Sequence, residues 1–96
     1  MAYQLAYARM HGGASAPTYE ACSTAGAFHG RTETIRSCSP ESCALVAACL
    51  DGTATPELLS QATAAQSVLA RSASAGEGVD RHLLGLSKFA KVSSQL

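Results

Sequence analysis

The chain contains no tryptophan, and only 5% of its 96 residues are aromatic, although 47% are hydrophobic. Its apolar content is therefore largely alanine, which excludes a core built on large rings. A chain this short also buries only about two-thirds of its unfolded surface. Charge is equally sparse: 15% of residues are charged, the formal net charge is +0, and no run of one sign occurs. Nucleic-acid and membrane-surface binders need a basic patch or stripe, so neither role is indicated. A long apolar run is missing too. The N-terminal Met1 to His11 stretch is broken by Gln4 and Arg9, which excludes a secretory signal or a membrane span there.

Cysteine is present four times, at Cys22, Cys38, Cys43 and Cys49. The spacing lacks the paired knuckles of a structural zinc site, so no metal is expected. The four are expected to be reduced, small apolar fillers of an intracellular protein.

What the sequence does carry is a dense polar stretch from Thr18 to Ser37, two strand-like pieces joined by a small-residue loop. Strand alternation in the second piece puts Thr32, Thr34 and Arg36 on one face and Glu33 and Ile35 on the other. The first face can bind an anion and the second can pack. Tyr19 adds a phenolic donor from the first piece, within reach of a hairpin-like return.

Helices flank this stretch. Tyr3, Leu5, Ala6, Tyr7 and Met10 have helical spacing, and Gly12-Gly13 ends them. His11 suits the negative end of that helix. Ser39-Pro40-Glu41 is a helix start, with Cys43, Val46, Ala47 and Leu50 expected as its buried face and Asp51-Gly52 as its stop. Thr55-Pro56-Glu57 repeats the start, and Leu58, Ala62, Ala65 and Leu69 carry a third helix to about Ala75. Gly76-Glu77-Gly78 breaks it. Asp80 is expected to cap a last helix with Leu83, Leu86, Phe89 and Ala90 inward, and Ser93-Ser94-Gln95-Leu96 is expected to fray. The fold class is thus α+β, mostly helical with two short strands.

Three stretches, Thr18-Tyr19-Glu20, Gly30-Arg31-Thr32-Glu33-Thr34-Ile35-Arg36-Ser37 and Asp80-Arg81-His82-Leu83-Leu84-Gly85-Leu86, together resemble the carnitine/choline acyltransferase family. The resemblance covers about residues 1–86 and one segment of the C-terminal half of a longer enzyme. It implies that residues 1–96 are a single partial domain of a two-domain α/β, chloramphenicol-acetyltransferase-like, CoA-dependent acyltransferase fold. It also implies loose packing of the chain alone, because its apolar stripes would be buried against strands outside it.

By the same resemblance the parent moves an acyl group between coenzyme A and carnitine in fatty acid metabolism, with acyl-CoA as co-substrate and no covalent cofactor. Its location would be the mitochondrion or the peroxisome. The catalytic His of the family belongs to a motif that none of His11, His29 and His82 matches, so the chain alone is expected to be inactive. Tyr19 and Thr32 match the positions whose hydroxyls bind the carnitine carboxylate, and Arg81 matches the cation that complements it. Thr32, Thr34 and Arg81 follow the carnitine pattern rather than the choline one. For Arg31 and Arg36, pairing with Glu20, Glu33 or Asp80 is expected instead. One departure stands out: the family's Tyr-Glu-Ser is here Tyr-Glu-Ala, so a hydroxyl is missing at Ala21. A catalytically dead stand-alone module binding a carnitine-like ligand or a protein partner is the alternative reading. Acyl-chain length is not encoded in these residues.

Overall fold

A hairpin sits at the centre of the architecture. In the computed structural model, which describes residues 1–94, strand β1 (Glu20–Ser23) pairs antiparallel with β2 (Thr32–Ile35). The register sets Glu20 opposite Ile35, Ala21 opposite Thr34 and Ser23 opposite Thr32. The expected alternation holds: Glu33 and Ile35 are buried, whereas Thr32 and Arg36 are exposed and Thr34 is half-buried. The connecting loop folds back through two turns, with Ala27 N–H donating to Thr24 C=O and Gly30 N–H to Ala27 C=O. A Cβ at Gly30 would stand 1.9 Å from the Thr24 carbonyl oxygen, so this close backbone approach admits only glycine.

Four helices surround the hairpin: α1 (Ala2–Met10), α2 (Pro40–Asp51), α3 (Pro56–Ser74) and α4 (Asp80–Ser93). The start signals act as read. Ser39 Oγ accepts from Ser42 N–H at 3.2 Å, and Thr55 Oγ1 accepts from Leu58 N–H at 3.3 Å, each with Pro at the first helical position. Gly52 closes α2 in the left-handed region at φ 73°. Leu58, Ala62, Ala65 and Leu69 form the covered side of α3, as their spacing predicts, and Ala73 extends it beneath the hairpin.

The buried faces of the other helices differ from expectation. In α1 the stripe of Tyr3, Leu5, Ala6, Tyr7 and Met10 is mostly exposed, and Gln4 and Ala8 are buried instead. Gln4 Nε2 donates to Thr18 Oγ1 at 3.0 Å and to Ser37 C=O at 2.9 Å, which ties α1 to the open end of the hairpin, where the chain enters β1 and leaves β2. A directed polar tie has selected the face. In α2 the buried residues are Ser42, Leu45, Val46 and Ala48, while Ala47 and Leu50 are exposed and Cys43 is half-buried. Nearly every position from Cys43 to Leu50 is apolar, so periodicity could not single out the side that α1 and α3 cover.

Helix α4 buries none of its residues. Leu83 is 57% and Phe89 73% exposed, against the expected inward face, because among the described residues β2 is the one other helix or strand that packs against α4. Asp80 does not cap it either: Val79 is the N-cap without a side-chain bond, and the Asp80 carboxylate is turned to Arg36. The expected fraying at the C-terminus falls partly on residues 95 and 96, outside the described residues.

Among the described residues no large side chain is fully buried, and the core is chiefly Ala8, Leu45, Val46, Ala48, Ala62 and Ala73 with Ile35. The radius of gyration is 16.8 Å, against about 12 Å for a compact domain of this length. The molecule is a flattened layer, 15 Å in its thinnest direction, with apolar helix faces left open.

Candidate functional site

The outward face of the hairpin and the first turn of α4 enclose an open hollow of about 340 Å³. It is lined by Tyr19, Thr34, Arg36, Asp80, Arg81 and Leu84. An ion pair and a hydrogen bond hold the walls together. Arg36 grips Asp80 through two nitrogens, one of them Nε at 3.4 Å from Oδ2, and this pair pins α4 to the end of β2. Arg81 then projects over the strand, with Nη2 donating to Thr34 Oγ1 at 3.2 Å.

Beneath them lies Glu33, whose side chain is only 4% exposed. Its Oε1 accepts from Thr34 N–H at 2.8 Å and stands 4.0 Å from Arg81 Nε. One buried carboxylate thus faces both the strand backbone and the Arg81 guanidinium. Gly78 leaves room for it, since a Cβ there would meet Glu33 Cγ and Cδ at 2.5 Å.

Tyr19 and Arg81, on distant stretches of the chain, line the same hollow. Thr32 shares their face of the hairpin but does not line the hollow, and its hydroxyl points at the carbonyls of Cys22 and Glu33, at 3.1 and 3.3 Å. Thr34 stands in its place. The alternation of β2 already put Thr34 on this face; only the attachment point of α4 shows which threonine meets Arg81. Ala21 is the cross-strand neighbour of Thr34. Arg36 has the expected ion-pair role, but Arg31 makes none among the described residues, a correction that follows from its exposed place at the loop end. Glu20 accepts from Ser37 Oγ at 2.8 Å rather than from an arginine.

The hydrogen bond from Arg36, with the positive charges of Arg36 and Arg81, holds the Asp80 carboxyl below its ordinary value against the effect of desolvation. Asp80 in turn raises the Arg36 guanidinium. The sign follows from the lowered carboxyl: the Arg36–Asp80 tie is fully present above the unfolded value of Asp80 and is lost as pH falls through its depressed folded value. Acid should therefore detach α4 before the α2–α3 pair opens. Amide exchange of α4 followed from neutral pH into the acid range checks this, and Asp80→Asn should remove the pH dependence. Protection of α4 that is equal in both variants and flat with pH contradicts it.

None of His11, His29 and His82 lines the hollow. His11 stacks on Tyr7 at 4.0 Å, and His29, with a positive φ of 56°, tilts against Phe28. Among the described residues no cluster of three or more His, Cys, Asp or Glu side chains is gathered for a metal. No described helix is long and apolar enough to cross a membrane.

Residues 1–95 match the family described as choline/carnitine O-acyltransferase, so the match continues past Leu86. The chain is 40% identical over 95 residues to the human peroxisomal carnitine O-octanoyltransferase, covering 95% of this chain and 15% of that protein. It is 47% identical over 90 residues to human carnitine O-acetyltransferase, covering 90% of this chain and 14% of the relative. With the muscle isoform of human carnitine O-palmitoyltransferase 1 it shares 42% identity over 101 residues, 98% of this chain and 13% of the relative. The chain thus spans roughly one-seventh of the length of the curated relatives it matches.

Proposed function

This chain belongs to the choline/carnitine O-acyltransferase family, and we propose that it supplies the carboxylate-binding side of the carnitine pocket in a carnitine O-acyltransferase. The enzyme would exchange an acyl group between coenzyme A and the carnitine hydroxyl within a two-domain α/β fold, in the peroxisome or the mitochondrion. Carnitine and acyl-CoA are its substrates in this reading, and the remainder of the acyltransferase is the partner of the open helix faces. The observation that carries it is the convergence of Arg81 and Tyr19 on one hollow over the hydroxyl-bearing face of the hairpin.

The chemistry is that of anion recognition. Arg81 offers a half-exposed guanidinium: Glu33, 4.0 Å from its Nε, also accepts from Thr34 N–H, and Asp80 is held by Arg36. A substrate carboxylate in the hollow would meet that cation from the solvent side and take a second bond from the Tyr19 hydroxyl. Charge-assisted bonds of this kind contribute roughly 1.5–3 kcal/mol each. Thr32 joins in this reading by rotating its hydroxyl away from the Cys22 carbonyl. A chimera tests the proposal: residues 1–95 replace the matched segment of the human octanoyltransferase, and octanoyl transfer to carnitine is measured. Retained, saturable carnitine dependence is expected. A folded chimera without it overturns the reading.

The 96-residue chain by itself should show no acyl transfer, because none of its histidines lines the hollow and none matches the family's catalytic His motif. The release of free coenzyme A from acetyl-CoA with carnitine, compared with buffer, is the measurement. Turnover above buffer would show that the chain holds a base of its own.

A further inference from the structure

Two cysteines flank the N-cap of α2, Cys38 just before Ser39 and Cys43 in the turn that follows it. Their Sγ atoms stand 3.5 Å apart, in contact, and both side chains are half-buried rather than sealed. Cys22 instead lies against the Ser74 hydroxyl at 3.1 Å. Cys38 also borders an open hollow of about 210 Å³ with Ser15, Pro17, Thr18 and Arg36, which gives a small reagent a way in. Contact between the residue before an N-cap and the fourth residue of the helix is an ordinary staple of apolar side chains, so what sets this pair apart is that both members are thiols and that one opens to solvent.

We propose that Cys38 and Cys43 form a vicinal dithiol that low-molecular-weight disulfides oxidise reversibly to an intramolecular disulfide. One protein thiolate attacks the S–S bond of the small disulfide, forms a mixed disulfide and releases one small thiol, which takes up a proton. The second protein sulfur then attacks the protein-bound sulfur of that mixed disulfide and expels the second small thiol. Two protein thiols are oxidised, one small disulfide is reduced to two thiols, and the atoms balance.

Closure needs the sulfurs to approach from 3.5 Å to about 2.0 Å. Cys38 lies outside the helix, so it can shift without breaking the helical ladder of α2. Burial first, and the contact with Cys43 second, push the Cys38 thiol up, so its attack quickens as pH rises. The bond would stitch the exit of β2 to the first turn of α2.

The test sets this pair against Cys43–Cys49, whose loop is nearly the same length. Loop-closure entropy then favours neither by more than about 1.5-fold. The 96-residue chain is treated with oxidised glutathione in native buffer and in guanidinium, alkylated, digested, and its linked peptides are quantified. In native buffer the 38–43 link should exceed the 43–49 link by roughly tenfold or more, and in guanidinium the excess should vanish. Cys38→Ser and Cys43→Ser should each stop at the mixed glutathione disulfide. Equal links in both solvents, or a persistent mixed disulfide on the unaltered chain, would overturn the proposal.

Discussion

Arg81→Asn, in an acyltransferase that carries this segment, should lower kcat/KM for carnitine by about 2–5 kcal/mol while leaving choline much less affected. Carnitine and choline share a trimethylammonium group and a hydroxyl, and only carnitine adds a carboxylate. Asn keeps a polar side chain over the strand but removes the cation. The structure adds a control that motif reading lacked, because Arg81 donates to Thr34 and faces Glu33. Losing the cation could therefore act on the fold as well as on the ligand. Thr34→Val removes the Thr34 bond alone, and Thr32→Val removes a neutral hydroxyl that is turned to the Cys22 carbonyl. Each should cost carnitine less, at roughly 1–3 kcal/mol. The deciding quantity is the ratio of kcat/KM for carnitine to that for choline. If Arg81→Asn leaves the ratio unchanged with circular dichroism intact, Arg81 serves the Glu33–Thr34 cluster and the carboxylate reading fails.

The second large effect is expected at Gly30, in the loop between the two strands. An alanine Cβ there would lie 1.9 Å from the Thr24 carbonyl oxygen and 2.9 Å from its carbon, both main-chain atoms that no rotamer change can move aside. The double turn must open, and with it the register that sets Ala21 against Thr34. A cost of about 1–3 kcal/mol follows from overpacking of this kind. It should be read as roughly five- to 150-fold faster hydrogen exchange at the ladder amides of β1 and β2. Gly26→Ala in the same loop is the comparison, since a Cβ there meets nothing within 4 Å. Equal exchange in the two variants would show that the loop does not hold the hairpin.

Signals that act over a few residues were legible in the chain. Ser39-Pro40 and Thr55-Pro56 start their helices, Gly52 stops one, and the alternation from Thr32 to Arg36 separates an outward from a buried face. Each depends on backbone chemistry within one turn or one strand. The faces of α1, α2 and α4 were not legible, for three separate reasons. Gln4 is buried because its amide reaches Thr18 and Ser37, partners 14 and 33 residues away. Leu45 and Ala48 are buried because α2 is covered by two helices, a circumstance absent from its own periodicity. Leu83 and Phe89 stay exposed because, among the described residues, β2 alone of the helices and strands packs against α4 and it meets the other side of that helix.

The site divides in the same way. By itself the sequence determined the residue types, the strand face and the three stretches that identify the family, since these are properties of local order along the chain. Tertiary structure alone decided which of them meet. The Arg36–Asp80 pair joins residues 44 apart and sets where α4 leaves the sheet, and from that point Arg81 reaches Thr34 rather than Thr32. It also decided that two of four cysteines touch, because the turn between β2 and α2 folds Cys38 back over the helix start. Spacing can propose such neighbours, but long-range packing and charge pairing choose among them.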